Sequence, residues 1–350
     1  MNVSSRKQKI ISILLEQDSI QSSDIHEALV NRREDISLVT VKRALSEMVA
    51  RGILRTSGSG RSSSYHVSEL GRIGADIDAR AYCAIEPDRR PGLKRYNQDL
   101  FEAIPDTVFS PAELQKLEDA TTEYARRTTD LPPAIEKREL ERLVVELSWK
   151  SSKIEGNTYT LLDTEKLILE NKEAKGHTRS EARMILNHKD AFNFVRGNTA
   201  FFKTLSRTHV EELHAILIKG LDVGEGLRER VVGIIGSVYQ PLDNLHQVRE
   251  GLEALAETVA RTRTPYDKAL VALLGISYLQ PFEDGNKRTA RLLANAILLA
   301  YARAPLSYRS VEESEYREAM LVFYEVNSIA PFKKLFIEQY DFAARNYAVK

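Results

Sequence analysis

The sequence predicts a mainly helical protein in which a small N-terminal domain of three helices and a hairpin precedes a larger helical domain. Apolar residues recur at helical spacing over most of the 350 residues, whereas short β-branched runs fall at 53–67 and 231–239. An apolar fraction of 43% supports two or three buried cores. The formal net charge is zero, which excludes a general electrostatic attraction to nucleic acid or membrane and leaves only local patches.

Cysteine content and hydropathy indicate a cytoplasmic protein with no membrane partner. Cys83 is the single cysteine, so no intrachain disulfide can form and a reducing compartment is expected. The basic stretch from Met1 to Lys9 is followed by no apolar segment of signal-peptide length. No apolar run approaches the roughly 20 residues that span a bilayer.

The periodicity of three helices accounts for most of the first 51 residues. Apolar positions between 10 and 15 form the buried stripe of the first helix, and Ser22 or Ser23 caps a short second one. A third helix is predicted from about Ser37 to Arg51, and the glycine that directly follows Arg51 would end it.

Residues 53–56 and 64–67 are predicted to form the two strands of a hairpin with a basic tip. Three helices followed by such a hairpin resemble a winged helix-turn-helix, which implies DNA binding by residues 1–75. The DNA-contacting residues would be Ser37, Thr40, Lys42 and Arg43 on the third helix, with Arg55 and Arg61 on the wing. Acidic residues near these cations leave a second interpretation open, in which the domain is a protein-docking or dimerisation platform.

A linker is predicted between the two domains. Residues 76–108 hold three prolines and several arginines, which suits an extended connection packed on the second domain, residues 109–350. Helical periodicity continues through that second domain except at 231–239. This segment is β-branched, interrupted by glycine and too short for a helix, so we expect a small hairpin there.

The segment 279–291 is the part of the chain best suited to bind phosphate. Pro281 and Phe282 close an apolar helical run, a turn follows, and Asn286 begins a new helix. A helix N-terminus attracts phosphate through its unpaired N–H groups and its partial positive charge. An acid for a metal ion and three cations complete a predicted site for a nucleoside polyphosphate; these are Asp284, Lys287, Arg288 and Arg291.

This segment resembles the loop of the Fic family, whose pattern runs His-Pro-Phe-x-Asp/Glu-Gly-Asn-Gly/Lys-Arg-x-x-Arg. Every fixed position matches except the first, where Gln280 replaces the family histidine. Residues 151–157 resemble the family's inhibitory motif, Ser/Thr-x-x-x-Glu-Gly/Asn, and residues 226–241 resemble the flap that holds a target protein beside the loop. With a further similar helix at 181–194, the resemblance covers most of residues 110–345.

The resemblance implies an all-helical Fic module with a hairpin flap and a known type of chemistry. The family transfers AMP from ATP to a hydroxyl group on a protein. Asp284 would bind Mg²⁺, while Asn286 and Arg288 would also stabilise the departing pyrophosphate. The nucleotide-binding residues would be Gly285, Asn286, Lys287, Arg288 and Arg291.

Two further segments would regulate and direct the transfer. Glu155, in a motif with Ser151 and Gly156, would pair with Arg291 and withhold that arginine from the γ-phosphate, so that the α-phosphate is misaligned for attack. The target-docking residues of the flap would be Ile234, Ile235, Gly236, Ser237, Val238 and Tyr239.

Gln280 stands where the family histidine takes the proton from the attacking hydroxyl, and an amide cannot accept that proton. The loop geometry of the family would place Gln280 at the end of the preceding helix with its side chain toward the α-phosphate. All seven histidines of the chain lie outside this motif. Three outcomes stay open: a slow transferase or one with another base, different phosphate chemistry, or nucleotide binding without transfer.

The sequence therefore predicts a Fic-like protein adenylyltransferase that uses ATP and Mg²⁺, is inhibited by Glu155 and is impaired by Gln280. The alternative is a DNA-binding transcriptional regulator with a nucleotide-sensing, catalytically inactive Fic domain. Expected partners are ATP, a target protein or the chain itself, and DNA through residues 1–75; a homodimer is left open.

Overall fold

The computed structural model describes residues 4–349, except for the side chain of Arg61. One compact unit comprises residues 4–105, 233–240 and 317–333, and a second comprises 106–232, 241–316 and 334–349. The helices are α1 (Ser5–Gln17), α2 (Ser22–Asn31), α3 (Leu38–Ala50), α4 (Glu69–Ile73), α5 (Ala79–Cys83), α6 (Leu100–Ala103), α7 (Pro111–Thr128), α8 (Pro133–Ile154), α9 (Leu161–Glu170), α10 (Arg179–Gly197), α11 (Arg207–Ile218), α12 (Leu245–Arg261), α13 (Pro265–Leu279), α14 (Asn286–Ala300), α15 (Glu313–Val326) and α16 (Ala330–Asn346). The strands are β1 (Ile20–Gln21), β2 (Leu54–Ser57) and β3 (Ser64–Val67). The mainly helical fold class is confirmed.

The start of the first unit has the predicted winged-helix arrangement. Its sheet has the order β1-β3-β2 and is antiparallel throughout, with Thr56 opposite Tyr65. Helices α1, α2 and α3 contribute one apolar core, to which α3 adds Val41, Leu45 and Met48 at helical spacing. The three helices and the hairpin that the sequence indicated are all present.

The predicted hairpin at 231–239 is a turn without paired strands, so that prediction was wrong in its detail. Ile234 O accepts from Ser237 N at 3.1 Å, and none of residues 231–239 belongs to a strand. Other groups of the first unit hold the turn: the Arg90 guanidinium donates to Gly236 O at 2.9 Å, and the Ser237 hydroxyl donates to Glu325 at 2.6 Å. The Arg90 bond thus satisfies one backbone carbonyl of the segment without a second strand, and the Ser237 bond anchors the turn through a side chain.

The segment 76–108, predicted to be extended, is partly helical. It contains α5 and α6, with a 3₁₀ turn at Pro87–Arg89 between them. Asp78 begins α5, because its carboxylate accepts from Ala81 N at 3.0 Å. The prolines and arginines that suggested an extended chain are therefore compatible with short capped helices.

The centre of the second unit is the pair α13 and α14, around which α8, α10 and α11 pack. Helix α13 is buried along almost its whole length, because the run from Ala269 to Leu279 is apolar on every face. The turn that joins α13 to α14 is the predicted phosphate loop. Across residues 4–349, no helix has both the length and the apolar character that a membrane crossing requires.

Candidate functional site

Two residues in the left-handed conformation shape the loop between α13 and α14. Gln280 ends α13 at φ 48°, and Gly285 precedes α14 at φ 80°. A Cβ on Gly285 would meet His214 Nε2 and Ile218 Cγ2 at 3.4 Å, close to ordinary contact, so it is the positive φ that favours glycine here. Helix α14 consequently begins directly after the loop, with its first N–H groups where phosphate binding was predicted.

The side chain of Gln280 is engaged with its own helix. Gln280 is only 7% exposed, and its Nε2 donates to Ser277 O at 2.5 Å. This bond satisfies a carbonyl in the last turn of α13, where helical partners are missing. In the nucleotide-free chain the Gln280 amide therefore has an acceptor in the helix end, and its orientation toward a bound phosphate stays a prediction.

Asn286 forms two hydrogen bonds between its side-chain amide and the backbone of the loop. Its Oδ1 accepts from Phe282 N at 2.9 Å, and its Nδ2 donates to Phe282 O at 2.8 Å. One N–H of the amide and its oxygen therefore position the loop, while the second N–H of Nδ2 leaves the predicted phosphate contact possible. The loop keeps its shape through this pair of bonds.

His214 contacts the loop through its imidazole ring, and the sequence analysis did not identify it as a site residue. Its ring lies parallel to Phe282 with the centroids 3.6 Å apart, and its Nε2 is 2.9 Å from Asp284 O. Burial lowers the pKa of His214 to about 4, so the neutral ring donates to this carbonyl at neutral pH. The available sequence signal was weak, since His214 lies on the apolar face of α11 like an ordinary core residue.

Arg288 is a buried cation in the first turn of α14. It is 1% exposed, and its Nη2 donates to Asp284 Oδ2 at 2.9 Å. Burial lowers the pKa of this guanidinium, although it stays charged at any physiological pH. Among the described residues Arg288 Nη1 has no hydrogen-bond partner, so this donor is available to an anionic ligand at the loop.

Asp284 is the carboxylate at this site that a metal ion could use. Its side chain is 65% exposed, and residues 4–349 contain no group of three or more His, Cys, Asp or Glu side chains that could hold a metal ion. Mg²⁺ commonly binds through one or two carboxylates plus substrate phosphates and waters. The donor set therefore fits Mg²⁺ that arrives with a nucleotide.

Glu155 contacts two of the predicted nucleotide-binding cations. Its Oε1 accepts from Arg291 Nη2 at 2.9 Å, and its Oε2 accepts from Lys287 Nζ at 3.2 Å. Arg291 is fully buried and also donates from Nε to Ser151 Oγ at 2.8 Å and from Nη2 to Ser151 O at 2.9 Å. The last turn of α8 thus occupies most of the donors of Arg291.

The local fold places Glu155 at the end of α8. Gly156 follows at φ 95°, a left-handed value that stops the helix and leaves Glu155 as its C-cap residue. Burial alone would raise the pKa of Glu155, but Arg291 and Lys287 outweigh it and hold the pKa below its ordinary value. The contact is therefore complete at neutral pH and is lost only as the pH falls through that lowered pKa.

The predicted DNA-contacting residues differ in how free they are. Lys42 and Arg43 are exposed on α3 and, within the described part of the chain, have no ion-pair partner. The Ser37 hydroxyl is used to cap α3, where it accepts from Thr40 N at 3.3 Å. Arg55 pairs with an acid of α4, and the side chain of Arg61 lies outside the described residues.

The nearby acids do not neutralise Lys42 and Arg43. Glu34 pairs with Lys9, and Glu47 pairs with Lys7. The two cations of α3 therefore keep their charge available on the exposed face of the helix. This arrangement favours the DNA-binding interpretation over the docking one.

Comparison with known proteins places this site in a family context. Residues 204–298 match the Fic/DOC family. This Fic region takes in the loop with α13 and most of α14, and residues 3–69 separately match the penicillinase repressor family. Protein adenylyltransferase Fic of Nematostella vectensis is 28% identical over 187 residues, which cover 52% of this chain and 44% of that protein. The chain thus spans less than half the length of that relative.

Solved structures share the fold of the Fic region. Fic-1 of C. elegans matches with a TM-score of 0.55 and 19% identity, covering 67% of this chain and 71% of that one. A Fic domain containing signaling protein from Bacteroides thetaiotaomicron matches with a TM-score of 0.55 and 20% identity, covering 65% and 94%. At these identities the likeness establishes the Fic fold and leaves the activity to be argued from the residues.

Proposed function

We propose that this chain is a Fic-type adenylyltransferase that transfers AMP from ATP to protein hydroxyls and inhibits itself through Glu155. The contact of Glu155 with both Arg291 and Lys287 carries the proposal. A carboxylate held by two cations at the start of α14 occupies the position of an anionic ligand. The phosphate chain of ATP, with the γ-phosphate at Arg291, supplies the same charge and competes for the same donors.

The transfer makes one bond and breaks another at the α-phosphorus of ATP. The hydroxyl oxygen of the target bonds to this phosphorus, the bond to the oxygen bridging toward the β-phosphate breaks, and pyrophosphate leaves. Arg288 and the first N–H groups of α14 would stabilise the charge on the leaving group. Mg²⁺ at Asp284 would neutralise phosphate charge when bound. The hydroxyl proton needs an acceptor, and because Gln280 cannot serve, we expect slow transfer with the proton lost to water.

Incubation with α-labelled ATP and Mg²⁺ tests the proposal through label retained on the protein. We expect Glu155→Gly to gain about tenfold more label than wild type, since coupling between sites typically amounts to 1–3 kcal/mol. Glu313→Ala is the matched control, because it removes a carboxylate that pairs with Lys150 of the same helix α8 and is no ion-pair partner of Arg291 or Lys287 among the described residues. Equal labelling of Glu155→Gly, Glu313→Ala and wild type would contradict the inhibitory role.

A second candidate function is a DNA-binding regulator that senses nucleotide without transferring it. Two observations favour it: the amide of Gln280 is committed to Ser277 O, and the charges of Lys42 and Arg43 are exposed and unpaired among the described residues. In this case the loop binds ATP and the output is the N-terminal domain. Binding of ATP without any label transfer, in both wild type and Glu155→Gly, would favour this candidate.

DNA binding by the full chain should be salt-sensitive and should depend on α3. We expect replacement of Lys42 and Arg43 by alanine to weaken binding to a duplex and to reduce the slope of log K against log salt by about two, since each phosphate contact contributes about 0.9. Lys7→Ala is the control, because Lys7 is already paired with Glu47. A folded wild-type protein that shifts no duplex even at low salt would support the docking interpretation instead.

A further inference from the structure

Arg228 is a buried cation that donates several hydrogen bonds to the backbone around the phosphate loop. It is 2% exposed. Its Nε donates to Gln280 O at 2.6 Å, and its backbone N–H donates to Pro281 O at 3.0 Å. The first two carbonyls of the loop are therefore both bound by this one residue.

The same guanidinium binds the chain on either side of residues 231–241, the part of the predicted flap that follows Arg228. Nη1 donates to Arg230 O at 2.8 Å, and Nη2 donates to Leu242 O. All these residues belong to the second unit. One planar group thus binds the first residue of the loop and the residues before and after 231–241. The rigid fork of donors on a guanidinium can bind several carbonyls at once.

The backbone at Gln280 needs such support. Its φ of 48° and ψ of 59° are left-handed, which is unfavourable for a residue with a Cβ. Strained backbone conformations persist where surrounding contacts fix them. The bond from Arg228 Nε to Gln280 O is a charge-assisted contact at that residue, and it acts together with the helix-end bond of the Gln280 side chain.

We propose that Arg228 is a positioning residue that holds residue 280 in its left-handed conformation and thereby fixes the phosphate loop. The side chain at position 280, where the reacting hydroxyl must lose its proton, takes its location from this contact. The inference rests on the proposed nucleotide site for its functional meaning. The positioning of residue 280 by Arg228 can be measured in the nucleotide-free protein, independently of that function.

Hydrogen–deuterium exchange of the full-length, nucleotide-free protein is the first test. In Arg228→Lys, we expect the loop amides at 282–285 to exchange about tenfold faster than in wild type. The three nitrogens of the guanidinium each bind a carbonyl from a different part of the chain, and a single ammonium nitrogen cannot reproduce that spread, so charge-assisted bonds are lost. Lys268→Met is the matched control. Lys268 Nζ also donates to three carbonyls, those of Val259, Ala260 and Thr262, but at the end of α12.

The control separates a local effect from general loss of stability. Lys268→Met should speed exchange near 259–262 and leave the loop protected, whereas Arg228→Lys should do the reverse. We further expect Arg228→Lys to weaken Mg–ATP binding by about tenfold, while Lys268→Met binds as wild type does. Unchanged loop exchange in Arg228→Lys would overturn the proposal. Failure of wild type to bind Mg–ATP would instead sink the proposed function and leave the exchange result valid.

Chemical rescue covers the case in which Arg228→Lys disturbs the whole domain. Arg228→Ala leaves space for a small alkylguanidinium ion, which can reoccupy the carbonyls that the side chain has vacated. Restored protection of residues 282–285 on addition of ethylguanidinium, relative to an equal concentration of ethylammonium, supports the positioning role. Equal responses to both ions overturn it.

Discussion

Gln280→His combined with Glu155→Gly is expected to transfer AMP at least about 10²-fold faster than Glu155→Gly alone, following the usual worth of a general base. Histidine supplies a base of near-neutral pKa where the hydroxyl proton must leave. The structure adds a reason: the Ser277 carbonyl that now accepts from the Gln280 amide is placed to accept one imidazole N–H. That bond would leave the second ring nitrogen free to accept the proton.

The rate of self-labelling with α-labelled ATP measures this prediction. Gln280→Leu in the same Glu155→Gly background is the control, because it removes the amide without supplying a base. It should label no faster than Glu155→Gly. If the histidine variant also labels at that rate, another base is at work and the residue at position 280 is unimportant for proton transfer.

Arg288→Ala should weaken Mg–ATP binding by about 1.5–3 kcal/mol, the range for hydrogen bonds to charged groups. Arg288 offers a buried donor, Nη1, that has no partner among the described residues and is available to a phosphate oxygen. The substitution also releases Asp284, which Arg288 binds at 2.9 Å, and so disturbs the proposed Mg²⁺ ligand. Both effects lower the affinity.

Calorimetry with Arg303→Ala as control checks this prediction. Arg303 lies beyond the other end of α14 and pairs with Glu118, so its loss should leave nucleotide affinity unchanged. Equal affinities of wild type and Arg288→Ala would show that phosphate does not bind at this helix start.

Much of the fold was predictable because local signals agreed with each other. The apolar run before Gln280 and the glycine before Asn286 fix the end of α13 and the start of α14, and the structure places both there. The N-terminal helices and the hairpin were equally predictable from the sequence. Ser37 caps α3, and the paired strands β2 and β3 lie on either side of a glycine-containing tip. Caps and turns are encoded within a few residues.

Contacts between distant parts of the chain were not predictable in the same way. The segment 231–239 has strand-like composition, but Arg90 and Glu325 supply its hydrogen bonds from far away in the sequence and make it a turn. His214 likewise looks like a core residue until its ring is found against Phe282. Asn286 matched a phosphate-binding motif, and the two bonds of its amide to Phe282, which position the loop, were not evident from the motif.

Titration of Mg–ATP into the wild-type protein tests the central claim, which is that the start of α14 binds a nucleoside triphosphate in competition with Glu155. We expect saturable binding of Mg–ATP that tightens in Glu155→Gly, because Arg291 and Lys287 then lose their bound carboxylate. We also expect this gain to be larger for ATP than for ADP, which lacks the γ-phosphate assigned to Arg291. No binding in either protein, or an equal gain for both nucleotides, would contradict the claim.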